Sequence, residues 1–122
     1  MQLALAEAGL EPHDIAYVSA HGTATPLNDA MECRAIVGLF GDHARTLAVS
    51  STKSQVGHTL GAAGAVEVVA TLVAMADGLV PATLRLAEVD PACAGVRHVI
   101  GSPERLEVDA FLSNSFGFGG AD

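Results

Sequence analysis

The stretch SSTKSQVGHTLGAAGAVE at residues 50–67 decides the fold, because it sets a lysine, a histidine and a run of small residues at the entry of a long apolar helix. Gly61, Ala62, Ala63, Gly64 and Ala65 leave room for a helix backbone to approach a neighbour closely. Glu67 is the one charge before the apolar run ends at Asp77-Gly78, so the pattern predicts a helix over residues 59–76, central and buried. It is too short and too rich in Gly and Ala to cross a membrane. Lys53 and His58 stand ahead of it, five residues apart across Gly57, so a loop has to bring them onto one pocket. Taken alone, they read most simply as a solvated lysine and a hydrogen-bonded histidine.

Working outward, Leu47-Ala48-Val49 is a short strand that delivers the chain into that segment. Ahead of it, residues 1–8 are good helix formers closed by Gly9, and residues 11–14 form a polar turn. A second strand, Ile15-Ala16-Tyr17-Val18, then ends in Ala20-His21-Gly22-Thr23-Ala24-Thr25-Pro26. Asn28 or Asp29 is placed to cap the next helix, which stops at Gly41. Downstream, residues 81–93 are irregular apart from a short extended piece at residues 83–86. Residues 98–100 and 110–112 are closing strands, and the second runs into Asn114-Ser115-Phe116-Gly117-Phe118-Gly119-Gly120. Strands alternating with helices predict a layered α/β unit, in which ligands gather at the carboxyl ends of the strands. Loops carrying His21, Lys53 and Asn114 all follow strands, so they converge by that rule.

The chain has 122 residues and half of them are apolar, enough for one small domain with a core of Ala, Val, Leu and Ile. Its net charge of -8, with six Lys and Arg, argues against nucleic acid or an anionic membrane as partner. Cys33 and Cys93 have neither disulfide nor metal spacing, and no secretory leader precedes them; a reducing cytoplasm is expected.

The loop HGTAT at His21, the segment STKSQVGH ending at His58 and the loop NSFGFGG at residues 114–120 together resemble the C-terminal part of a β-ketoacyl-[acyl-carrier-protein] synthase. That family comprises fatty-acid condensing enzymes and polyketide ketosynthases. The resemblance implies a thiolase-like layered fold of helix, sheet and helix, with residues 1–122 as part of the C-terminal domain and truncated at both ends. It also implies decarboxylative Claisen condensation of a malonyl thioester with an acyl thioester. His21 and His58 would donate N–H groups to the enolate oxygen, and both must then be neutral. Lys53 would act electrostatically, orienting His58 and pairing with Glu67, since a buried charge without a partner is costly. Asp29 resembles a further acid of that network, or an ordinary helix cap. Thr23 and Thr25 resemble the hydroxyls that bind the pantetheine amides; each could as well satisfy its own turn. Phe118, flanked by Gly117 and by Gly119-Gly120, resembles a gate whose N–H helps bind the acyl thioester oxygen, while Phe116 reads as packing.

No metal or cofactor is implied, because the substrates travel on the phosphopantetheine of an acyl carrier protein. That carrier, an N-terminal ketosynthase half and a second copy of the enzyme are the expected partners. The nucleophilic cysteine belongs to the N-terminal half in this family, and neither Cys33 nor Cys93 has the setting of a reactive thiol. Acyl transfer is therefore expected of the complete domain, with this chain inactive alone. A thiol-lacking chain-length factor or decarboxylase, and a non-catalytic assembly subunit, would share the same C-terminal half.

Overall fold

The computed structural model describes residues 1–117. Helix α1 (Gln2–Ala8) ends at Gly9, whose left-handed φ of 67° lets its N–H return to the carbonyls of Leu5 and Ala6. A 3₁₀ turn at Pro12–Asp14 leads into strand β1 (Tyr17–Ser19), and helix α2 (Asn28–Phe40) follows the intervening loop. Strand β2 (Ala48–Ser50) then feeds the one-turn helix α3 (Lys53–Val56) and the long helix α4 (Ala63–Ala76). Among the described residues four short strands follow: β3 (Leu79–Val80), β4 (Arg97–His98), β5 (Glu104–Arg105) and β6 (Phe111–Ser113).

The main sheet has the order β4-β2-β1-β6, and every pairing in it is parallel. Its register sets Ser50 and Ser113 on either side of Ser19, so three strands end in one row. The row extends one step further, through Ala20 N–H to the Ser50 carbonyl at 2.8 Å and Asn114 N–H to the Ser19 carbonyl at 2.9 Å. The loops bearing His21, Lys53 and Phe116 therefore leave the same edge of the sheet.

Alternate residues of β1 and β2 face opposite layers. Val18 and Val49 join Ile36, Phe40 and Leu5 in a core beneath α1 and α2, while Tyr17 and Ala48 join Val80, Ala82 and Val99 on the other face. The helix/sheet/helix layering follows the sequence pattern. The antiparallel pair β3–β5 was not legible there, because each strand is two residues long.

Two expectations need correction. Neither Asn28 nor Asp29 caps α2: Asp29 Oδ1 instead accepts the Ala24 N–H at 3.2 Å and the Asn28 amide at 3.0 Å, staples of the preceding loop. Helix α4 is not buried all round either. Its buried stripe is Ala63, Glu67 and Thr71, whereas Val69 is 60% exposed and Val73 62%. The polar side faces the sheet and an apolar side faces out, the reverse of an ordinary surface helix. Of the glycines ahead of that stripe, Gly64 lies close to another segment, since a Cβ there would meet Ser115 Oγ at 3.1 Å; Gly61 faces open space.

Candidate active site

His21 lies two residues beyond the end of β1 and is 7% exposed. Its main chain is held from below by a carboxylate. Glu32, on the inner face of α2 and 2% exposed, accepts the His21 N–H at 2.8 Å on Oε1 and the Gly22 N–H at 2.9 Å on Oε2. The Asn114 side-chain amide donates to the same Oε1 at 2.9 Å, so Glu32 ties the β1 loop to the β6 loop. Gly22 has a φ of +42°, and a Cβ on it would lie 2.6 Å from Ser51 Cβ, so a bare α-carbon is what lets this loop cross the β2 loop.

His58 follows α3 on an exposed loop, and its ring faces that of His21 edge-on, with centroids 5.7 Å apart and planes at 88°. Each imidazole receives a backbone N–H on Nδ1: Phe116 N–H reaches His21 at 3.3 Å and Leu60 N–H reaches His58 at 3.1 Å. A ring nitrogen that accepts carries no proton, so hydrogen bonding assigns the proton to Nε2 in both rings. Leu60 has a φ of 52°, an unusual angle for a side-chain-bearing residue, in the segment that delivers its N–H to His58. Burial, and after it the neighbouring Lys53 ammonium, holds the His21 imidazole below its usual pKa range, which favours the neutral ring.

Lys53, 9% exposed, opens α3 and forms a buried ion pair with Glu67 of α4. Its charge bears on His21. Among the described residues it makes no hydrogen bond to His58, whose orientation comes from Leu60. Thr23 and Thr25 hydrogen-bond each other through their hydroxyls at 3.0 Å. Thr23, Asp29, Lys53 and His58 share the lining of one cleft of about 560 Å³ that runs on to Cys93 and His98. Both cysteines are buried and free; burial first, and Cys93 next, pushes the Cys33 thiol up to about 12, which makes it inert as a nucleophile. Among the described residues no cluster of His, Cys, Asp and Glu could hold a metal ion.

Phe116 is not core packing: it is 41% exposed, and its ring centroid stands 5.0 Å from that of His21. Gly117 is exposed, while Phe118, Gly119 and Gly120 lie outside the described residues. Sequence reasoning also passed over Glu32 and the Asn114 side chain. Glu32 had a signal, since it stands three residues after Asp29 and next to Cys33, on the side of α2 that must face the sheet.

A parallel sheet between helix layers, as in this chain, is the architecture of thiolase-like ketosynthases. A β-ketoacyl synthase from Burkholderia phymatum superposes with a TM-score of 0.92 at 46% identity, over 98% of this chain and 29% of that one. A type II polyketide ketosynthase solved with its acyl-carrier protein and a bound hexaketide gives 0.92 at 33% identity, again over 98% and 29%. The 3-oxoacyl-[acyl-carrier-protein] synthase 2 of Synechocystis is 51% identical over 117 residues, which are 96% of this chain and 28% of that protein. Residues 1–87 match the family described as "Beta-ketoacyl synthase, C-terminal domain". The chain belongs to that family. It spans less than a third of the length of these relatives.

Proposed function

We propose that this chain supplies the imidazole wall of a decarboxylative condensing site, in fatty-acid or polyketide synthesis, within a longer cytoplasmic β-ketoacyl-acyl-carrier-protein synthase. The observation that carries the reading is the pair of perpendicular imidazoles with both Nδ1 atoms occupied by backbone N–H groups. In this reading the two Nε2–H donors converge on a single oxygen on which negative charge develops. In the reaction, the bond between the malonyl α-carbon and its carboxylate breaks and carbon dioxide leaves. The electron pair becomes an enolate whose oxygen takes both Nε2–H bonds. The α-carbon then attacks the carbonyl of an acyl thioester, and the thiolate departs. Burial first, and then Lys53 held by Glu67, keeps His21 neutral, and the Lys53 ammonium adds positive potential near the developing charge. Thr23 and Thr25 offer hydroxyls to the pantetheine arm of an acyl carrier protein.

The nucleophilic cysteine comes from the remaining part of the domain. The outward apolar stripe of α4 supports such a partner, since Val69, Leu72 and Val73 form the kind of surface that another protein layer covers. Paired Nε2–H donors and an intact Lys53–Glu67 pair favour condensation over a purely structural assembly role.

The test uses malonyl-carrier protein and an acylated primer. The intact synthase forms the 3-oxoacyl product; this chain alone does not, and product from it alone overturns the division of labour. Replacing His21 or His58 by Ala in the intact synthase removes one donor, and decarboxylation falls about 10²–10³-fold. Retention of rate within about threefold in either variant overturns the role of the imidazoles.

A further inference from the structure

Behind the Lys53–Glu67 pair lies a layer of buried polar groups. Oε1 of Glu67 takes the Lys53 ammonium, while Oε2 is buried and has no hydrogen-bond partner among the described residues. The hydroxyls of Ser19 and Thr71 are in the same condition, on residues that are 0% exposed. Thr71 follows Glu67 by four residues, so both belong to the inner stripe of α4. A helical threonine ordinarily returns its hydroxyl to the carbonyl one turn back. Thr71 does not.

Tyr17, on β1 beneath them, shows which donors are free. Its phenol is raised by burial first, with the hydroxyls of Ser50, Ser19 and Thr71 lowering it and the Glu67 carboxylate raising it. The Tyr17 hydroxyl lies 2.8 Å from Ser50 Oγ, and Ser50 Oγ donates to the Pro81 carbonyl at 2.6 Å. A serine hydroxyl has one proton. With that proton committed to Pro81, Tyr17 has to be the donor to Ser50, and its own proton is turned away from Glu67. Thr71, one helical turn from Glu67 on the same buried stripe and without a hydrogen-bond partner among the described residues, is the donor that the carboxylate's own helix offers. A buried acceptor and a buried donor left apart would each carry a desolvation penalty, and their one-turn spacing on α4 offers the remedy.

We propose that Thr71 is a positioning residue of the site: its hydroxyl donates to Glu67 Oε2, directly or through one internal water, and so fixes the carboxylate that holds the Lys53 ammonium beside His21. The inference rests on the condensing role given to Lys53 and His21 above. Thr71 touches no substrate and acts through Glu67.

The intact synthase with Thr71→Val keeps the side-chain shape and loses the hydroxyl. Its kcat falls about fivefold or more, as expected for a lost hydrogen bond to a charged group, with KM within twofold. Thr71→Ser recovers most of the rate, and in a Glu67→Gln background Thr71→Val costs less than twofold, because the two act as one unit. Parental kcat in Thr71→Val, no recovery in Thr71→Ser, or an undiminished loss in the Glu67→Gln background overturns the proposal. An arm independent of activity is a crystal structure of the parent that shows ordered water. Thr71 Oγ1 lies within about 3.2 Å of Glu67 Oε2, or shares one water with it. A hydroxyl turned back on the Glu67 main-chain carbonyl overturns the proposal whatever the rates. The contact present in a synthase that does not condense would sink the functional reading and leave this one standing.

Discussion

Replacing Glu67 by Ala isolates the energetic weight of the buried ion pair. Lys53 is 9% exposed and Glu67 1%, and the hydrogen bond between them is the one the Lys53 ammonium makes among the described residues. With the carboxylate gone, an ammonium remains where water barely reaches, and Lys53 is short of room to escape because α3 holds its backbone. Breaking a buried pair from one side costs about 3–5 kcal/mol, so Glu67→Ala destabilises the protein by that amount. The double variant Lys53→Met, Glu67→Leu removes both charges and both desolvation penalties, and its stability returns to within about 1 kcal/mol of the parent. Lys53→Met alone strands the carboxylate and costs a similar amount, so the double variant falls far short of the sum of the two singles, a sum that independent positions would approach within a few tenths of a kcal/mol. Urea unfolding of the intact synthase, followed by far-ultraviolet circular dichroism, reads these differences as shifts in midpoint at constant slope. Condensation stays lost in the double variant even though stability returns, which separates the electrostatic role of Lys53 from its structural one. A Glu67→Ala protein as stable as the parent, or a double variant as weak as the single, refutes the reasoning.

The His21 imidazole titrates below its usual value, and Lys53→Met moves it upward, though not fully, because burial remains the larger cause; NMR titration of the ring protons reads this. By linkage, a histidine held neutral in the fold stabilises it above the ordinary imidazole pKa, and this contribution fades as pH falls below 6.5 toward the lowered folded value. Glu32→Ala leaves three donors, the His21 and Gly22 N–H groups and the Asn114 amide, without their shared acceptor. It costs about 2–4 kcal/mol in the same urea assay and displaces His21, and a loss under about 1 kcal/mol would refute that role. Gly22→Ala brings a Cβ to within 2.6 Å of Ser51 at a φ of +42°, so thermal melting shows a loss of at least about 2 kcal/mol, whereas unchanged melting would mean that the two loops separate freely.

Local patterns in the sequence gave away the elements whose partners lie near in sequence or whose geometry is generic. Gly9 ended α1 as a left-handed cap, and the parallel order of the sheet followed from strands alternating with helices. Convergence at the strand ends followed too, because parallel strands share a direction. What stayed hidden depends on contacts between distant residues. Glu32 reads as one more charge on a helix until β6 brings Asn114 across 82 positions to the same oxygen. The hydrogen bonding of Lys53 and His58 was hidden for a related reason: the ammonium pairs with Glu67, 14 positions on, while His58 Nδ1 takes the Leu60 N–H. Helix α4 teaches the sharper lesson. Mean hydropathy made it a core helix, yet its inner stripe holds Glu67 and Thr71 while valines point outward. Averaging over a helix erases the direction in which polarity points, and in this helix that direction carries the function. An inward Glu67 is what can hold Lys53, and an outward apolar stripe is what a further layer of protein can cover. The polarity inversion thus sets a buried charge on one side of α4 and exposed apolar side chains on the other.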